Sequence, residues 1–134
     1  RRTAYRITDA GLAEVRRWLV EEDVDHTLRM ETLLRSFLFW LMEPDELTNH
    51  LERERQFYSD TADILRSYAA TKDSGAWGTS RQTRAQRIAI EAGVRVNEAL
   101  ATWAEWALET DVMSAEDFGA ARAPTDAPPG DPSG

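Results

Sequence analysis

Between Ser80 and Glu109, apolar residues recur at steps of three and four: Ala85, Ile88, Ala92, Val96, Ala99, Trp103 and Trp106. That spacing predicts one amphipathic helix, and at 1.5 Å per residue a helix of this span is on the order of 45 Å long. A small single-chain core cannot cover an apolar stripe of that length, so a second subunit is expected to cover it. Ala85, Ala92 and Ala99 allow close helix approach, while the two tryptophans add large apolar area near one end. Gly93 argues against an uninterrupted helix.

The same period organises the middle of the chain. Met30, Leu33, Leu34, Phe37, Leu38 and Leu41 predict a second helix, and Phe39, Trp40 and Met42 widen its stripe until it is apolar on nearly every side. Such a helix has to be buried from more than one direction. Pro44 ends it and begins the next, since proline fits the first helical turn where its missing N–H is not needed. Asp45 and Glu46 support that start. The third helix is expected from Pro44 to Ala70, with Leu47, Leu51, Tyr58, Leu65 and Tyr68 along one stripe and Phe57, Ala62 and Ile64 beside it. Glu52, Arg53, Glu54 and Arg55 read as a solvated face. Residues 71–80, TKDSGAWGTS, have the composition of a loop, with Trp77 folding back onto the helices.

Upstream, Thr3, Tyr5 and Ile7 alternate with Arg2, Ala4 and Arg6, the pattern of a strand with one buried face. A lone strand cannot satisfy its backbone groups, so its partner is expected in a preceding segment or in another chain. Thr8 suits a helix N-cap and Asp9 its first turn, and Leu12, Val15, Trp18 and Leu19 give an apolar face that runs to about Val20. The acidic link EEDVD follows. Residues 111–134, rich in proline, glycine, alanine and acid, cannot bury enough surface to offset their ordering entropy and are expected to be a disordered tail.

Composition removes several function classes. The 134 residues suffice for one ordinary domain, and no apolar run approaches the roughly 20 residues of a membrane span; FLFWLM, Phe37–Met42, is far too short. With no apolar leader after Arg1 and Arg2, the protein is expected to be cytoplasmic. The absence of cysteine removes disulfides, thiolate metal sites and cysteine nucleophiles. There is no glycine-rich phosphate loop and no nucleophile elbow, so no enzymatic activity and no cofactor are expected. His50 and Glu54, one helical turn apart, are too few ligands for a metal site, and His26 is expected near the start of the second helix. The net charge of −8 opposes nucleic-acid binding by the chain as a whole. Its first 19 residues nevertheless carry +3 and the remainder −11. Only that end suits phosphate.

TAYRITDAGLAEVRRWL resembles the end of a PadR-type winged-helix domain, in which Y-x-[LI]-T-x-x-G forms the second wing strand and the turn into the helix leaving the DNA-binding head. Tyr5, Ile7, Thr8, Gly11, Leu12 and Trp18 match that pattern. LRMETLLRSFLFWLMEPDELTNHLERE is similar to the family's C-terminal region, where an apolar helix meets a proline-started one. The resemblance covers roughly residues 2–110, and its motif is most specific in the first 19. It implies a transcription regulator with an all-α, elongated domain of about four helices and a short wing-like strand, forming a helical dimer. Residues 1–20 would be the wing strand and connecting helix, 21–110 the dimerisation domain and 111–134 the tail. The helix-turn-helix that reads DNA would lie upstream of Arg1. Arg2 and Arg6 would touch the DNA backbone weakly. Leu33, Phe37, Trp40, Leu41, Ile88, Ala92, Val96, Ala99, Trp103 and Trp106 would form the homodimer interface. By the same resemblance Phe37, Trp40, Trp103 and Trp106 could line a pocket for a small-molecule effector. A different reading of the same helices is a stand-alone adaptor that binds another protein.

Overall fold

The computed structural model describes residues 2–110 and Met113. Its elements are α1 (Asp9–Glu21), α2 (Glu31–Ser36), a 3₁₀ turn (Phe39–Leu41), α3 (Pro44–Asp73) and α4 (Arg81–Thr110). The chain divides into two compact units between Ser36 and Phe37. The tail expected over residues 111–134 lies outside the described residues, apart from exposed Met113.

In the first unit, Thr8 caps α1: its Oγ1 accepts the Gly11 N–H at 3.0 Å and its carbonyl takes the Leu12 N–H at 2.8 Å. Gly11 also leaves room beside the cap. A β-carbon there would lie 3.1 Å from Ile7 Cγ1 and 3.2 Å from Thr8 Oγ1, so the T-x-x-G spacing fits a capping hydroxyl and an apolar residue before it into one turn. Arg17 holds the exposed face through ion pairs to Glu14, Glu21 and Glu22. Residues 2–7 form no strand, which corrects the expectation from their alternation. A strand exists only through a ladder, and no described residue supplies the second edge.

The expected second helix is also shorter than its periodicity suggests. α2 stops at Ser36, whose Oγ donates to the Leu33 carbonyl at 2.6 Å. Leu38 leaves helical geometry (φ −111°, ψ 7°), and the chain tightens into the 3₁₀ turn. The change re-aims the side chains of the second unit's first residues. Phe39 turns inward to meet His50 and Trp103, while Phe37, Leu38, Trp40 and Leu41 face outward.

α3 and α4 have 30 residues each and form an antiparallel hairpin. Cross-pairs fix the direction: Asp73 with Arg87, Lys72 with Gln86, and Arg66 with Glu98. Pro44 opens α3 beneath a capping box, in which the Glu43 N–H donates to Glu46 Oε2 at 2.9 Å and the Glu43 side chain accepts from the N3 backbone. Ser80 caps α4 through the Thr83 N–H at 3.1 Å. Gly75 (φ 78°) and Gly78 (φ 86°) take left-handed conformations between the helices, as the reversal requires.

The seam between them repeats every seven residues. On α3, Leu51, Arg55, Tyr58, Ala62, Leu65, Ala69 and Lys72 are buried or partly buried; on α4, so are Thr83, Arg87, Ile90, Val94, Asn97, Ala101, Ala104 and Leu108. This alternation of three and four is a coiled-coil seam. Its centre is small. Ala62 and Ala104 are 1% and 0% exposed, and among the described residues no large side chain is fully buried. Gly93 does not break α4. It sits where Leu65 crosses, and a β-carbon on it would come within 2.9 Å of Leu65 Cδ1.

Candidate interaction surface

The apolar stripe read from the sequence of α4 is not the stripe that packs on α3. Ala85, Ile88, Ala92, Val96, Ala99 and Trp106 are exposed, with Ile88 at 74%, Val96 at 52% and Trp106 at 51%. The seam uses another register of the same helix, Ile90, Val94, Asn97, Ala101, Ala104 and Leu108, offset by about half a turn. α4 therefore carries two apolar stripes on opposite sides, and the hairpin satisfies one. The second register was visible in the sequence only as spacing within the same 30 residues. Choosing between the two requires knowing where α3 lies.

On α3, Leu51, Tyr58 and Leu65 do face α4, while Phe57, Ile64 and Tyr68 stay exposed at 61%, 53% and 46%. Trp103 is partly buried and stacks on Phe39, with centroids 6.4 Å apart and planes at 25°. Phe39, a residue passed over in the aromatic set Phe37, Trp40, Trp103 and Trp106, makes this contact. Phe37 and Trp40 are 78% and 66% exposed. Leu41 is exposed on the 3₁₀ turn, and Leu33 is partly buried in α2. Arg2 and Arg6 are exposed before α1.

His50 packs edge-on against Phe39 at 5.4 Å, and its Nε2 is buried without a hydrogen-bond partner among the described residues. No group of three or more metal-binding side chains occurs among the described residues. A shallow groove of about 410 Å³ runs along the hairpin, walled by Arg66, Asp73, Arg87, Glu91, Arg95 and Glu98. Each of its arginines already faces a carboxylate. Arg87 binds Asp73 and Glu91, Arg95 shares Glu91, and Arg66 spans Asp63 and Glu98. Hydrogen bonding to Arg87 holds the Glu91 carboxyl below its ordinary range, and Glu98 and Asp73 hold the Arg66 and Arg87 guanidiniums firmly protonated. Being exposed, these pairs fix register more than they add stability.

The class the geometry defines is an all-helical domain built on a coiled-coil hairpin, one of whose two 30-residue helices shows a second apolar stripe to solvent. The family model for the virulence activator alpha C-terminal domain matches residues 28–110, more than half of the chain, and the chain belongs to that family. No curated protein and no solved structure gave a match. No helix among the described residues is long and apolar enough to cross a membrane.

Proposed function

We propose that this chain is the homodimerising, effector-sensing region of a PadR-like winged-helix transcription regulator, and that two copies join through the outward stripe of α4. The observation that carries the reading is the symmetry of that stripe. The midpoint of α4 falls between Arg95 and Val96. About this point Ala85 is matched by Trp106, Ile88 by Trp103 and Ala92 by Ala99. A two-fold interface demands such self-complementarity. In an antiparallel pairing each indole meets a smaller residue of the partner, and the two alanine steps let the backbones approach at the axis. A parallel pairing would oppose tryptophan to tryptophan.

Charge supports the same orientation. α4 has no acidic residue in its first turn and no basic one in its last, the reverse of what its macrodipole favours. Arg81 and Arg84 stand near the start, Glu105 and Glu109 near the end, and neither arginine takes part in an ion pair among the described residues. An antiparallel copy sets the basic half of one helix beside the acidic half of the other. DNA reading then falls to a winged-helix head, with Arg2 and Arg6 as phosphate contacts; the dimer sets the spacing of two such heads. Effector sensing would draw on Phe37, Trp40 and Trp106, each more than half exposed, together with Trp103.

Light scattering on the purified chain at micromolar concentration tests the reading. The expected mass is twice 15.2 kDa. A particle of 15.2 kDa would defeat it and favour a helical adaptor that binds an unlike partner.

A further inference from the structure

The turn between α3 and α4 is built more tightly than a connection needs. The Gly75 and Gly78 N–H groups donate to the Lys72 and Gly75 carbonyls at 3.0 and 2.9 Å. Thr83 Oγ1, itself 3.0 Å from Ser80 Oγ, donates to the Trp77 carbonyl at 3.4 Å. This frame holds the Trp77 indole beside the Tyr68 ring, centroids 5.9 Å apart, with Lys72 Nζ 5.2 Å from the indole centroid. Trp77 nevertheless stays 49% exposed and Tyr68 46%. Two aromatic rings are thus held together at the tip, half open to solvent, with the Lys72 ammonium beside the indole.

We infer that this tip docks the proline-rich C-terminal segment of the chain itself, Ala123–Gly134. Proline-rich segments prefer the extended polyproline helix, and exposed aromatic platforms bind them at low ordering cost. The segment APTDAPPGDPSG holds four of the chain's five prolines, and its only charges are Asp126 and Asp131. Those charges complement Lys72, which lies beside the indole, and Arg81 and Arg84, which stand in the first turn of α4 after the reversal. The reach is sufficient. From Thr110 the tip lies about one α4 length away, about 45 Å at 1.5 Å per residue. Pro128 comes 18 residues after Thr110, about 55 Å of chain in polyproline geometry.

The chain has no cysteine, so a Ser133→Cys variant carries a single nitroxide cleanly. In the full chain with ¹⁵N-labelled tryptophans, the Trp77 indole signal, assigned by Trp77→Phe, should fall at least twofold in intensity. Trp18, Trp40, Trp103 and Trp106 should change less. Replacing Pro128, Pro129 and Pro132 together by glycine, or Lys72 by glutamate, should restore the signal. Mixing labelled chains lacking the nitroxide with unlabelled chains carrying it shows whether the segment comes from the same copy or a second one. No loss of signal is expected in the mixture, because the segment belongs to the same copy; this holds in a monomer, which separates the test from the dimer reading. A loss in the mixture equal to that in the singly spin-labelled chain would overturn the inference. Equal intensities for Trp77 and Trp103, unchanged by the glycine substitutions, would overturn the inference.

Discussion

Ile88→Ala separates the two stripes of α4 most cleanly. Ile88 is 74% exposed in the single chain, so its truncation removes little that the hairpin buries. Alanine is also the better helix former. The hairpin should therefore keep its stability within about 0.5 kcal/mol, as is usual for surface substitutions. In the proposed antiparallel pair each Ile88 would lie against Trp103 of the other copy, and the two-fold axis would make the defect occur twice. Truncating a buried isoleucine to alanine costs at least about 2 kcal/mol, so the pair loses about 4 kcal/mol, roughly a thousandfold in dissociation constant. Sedimentation velocity over a concentration series reads this directly, while circular dichroism on dilute samples reads the hairpin. Ile90→Ala, in the seam, should show the opposite pattern, with a lower melting temperature and little intrinsic change in association. If Ile88→Ala associates as tightly as the parent chain, the outward stripe is not the interface and the symmetry argument fails.

Three further outcomes follow from the packing. Ala104→Leu forces a branched side chain into a position with no exposure and should cost about 1–3 kcal/mol of hairpin stability by thermal or urea unfolding. Thr8→Ala removes the oxygen that accepts the Gly11 N–H; α1 should lose about 1 kcal/mol, seen as faster hydrogen exchange at Gly11, with Thr8→Ser retaining most of the protection. Glu91 has its carboxyl pKa lowered below the ordinary 4.5, chiefly by Arg87. Its contribution is therefore complete above about pH 4.5 and disappears as pH falls through the lower folded value. The melting temperature should drop on acidification below that point, and Glu91→Gln should flatten that part of the profile.

The long helices were legible from sequence because their signals are local. Thr8 capping α1 and Pro44 opening α3 punctuate the chain where the structure does; the glycine-bearing loop ends where α4 starts, but α3 runs into its expected span as far as Asp73. Gly93 misled because a glycine within a helix counts against propensity, whereas here the missing side chain admits Leu65. The break after Ser36 was hidden for a different reason. FLFWLM satisfies a helical period however it is cut, and what ends the helix is Phe39 reaching His50 and Trp103 in elements more than ten residues away. The choice of α4 stripe was equally out of reach. Two registers of apolar residues compete along one helix, and only the position of α3 decides which is inside. The wing-like alternation of residues 2–7 needs a neighbour that no local pattern supplies.

In the proposed pair, the separation of the two stripes on α4 would make self-folding and partner choice nearly independent traits. Alanines and a glycine in the seam set how closely the hairpin closes, and they tolerate little change. The far side can exchange an isoleucine for a valine, or shift an indole by one turn, without disturbing that closure. Related regulators sharing one cell could thereby become insulated from mixed assembly through a few outward substitutions, with the scaffold beneath left untouched.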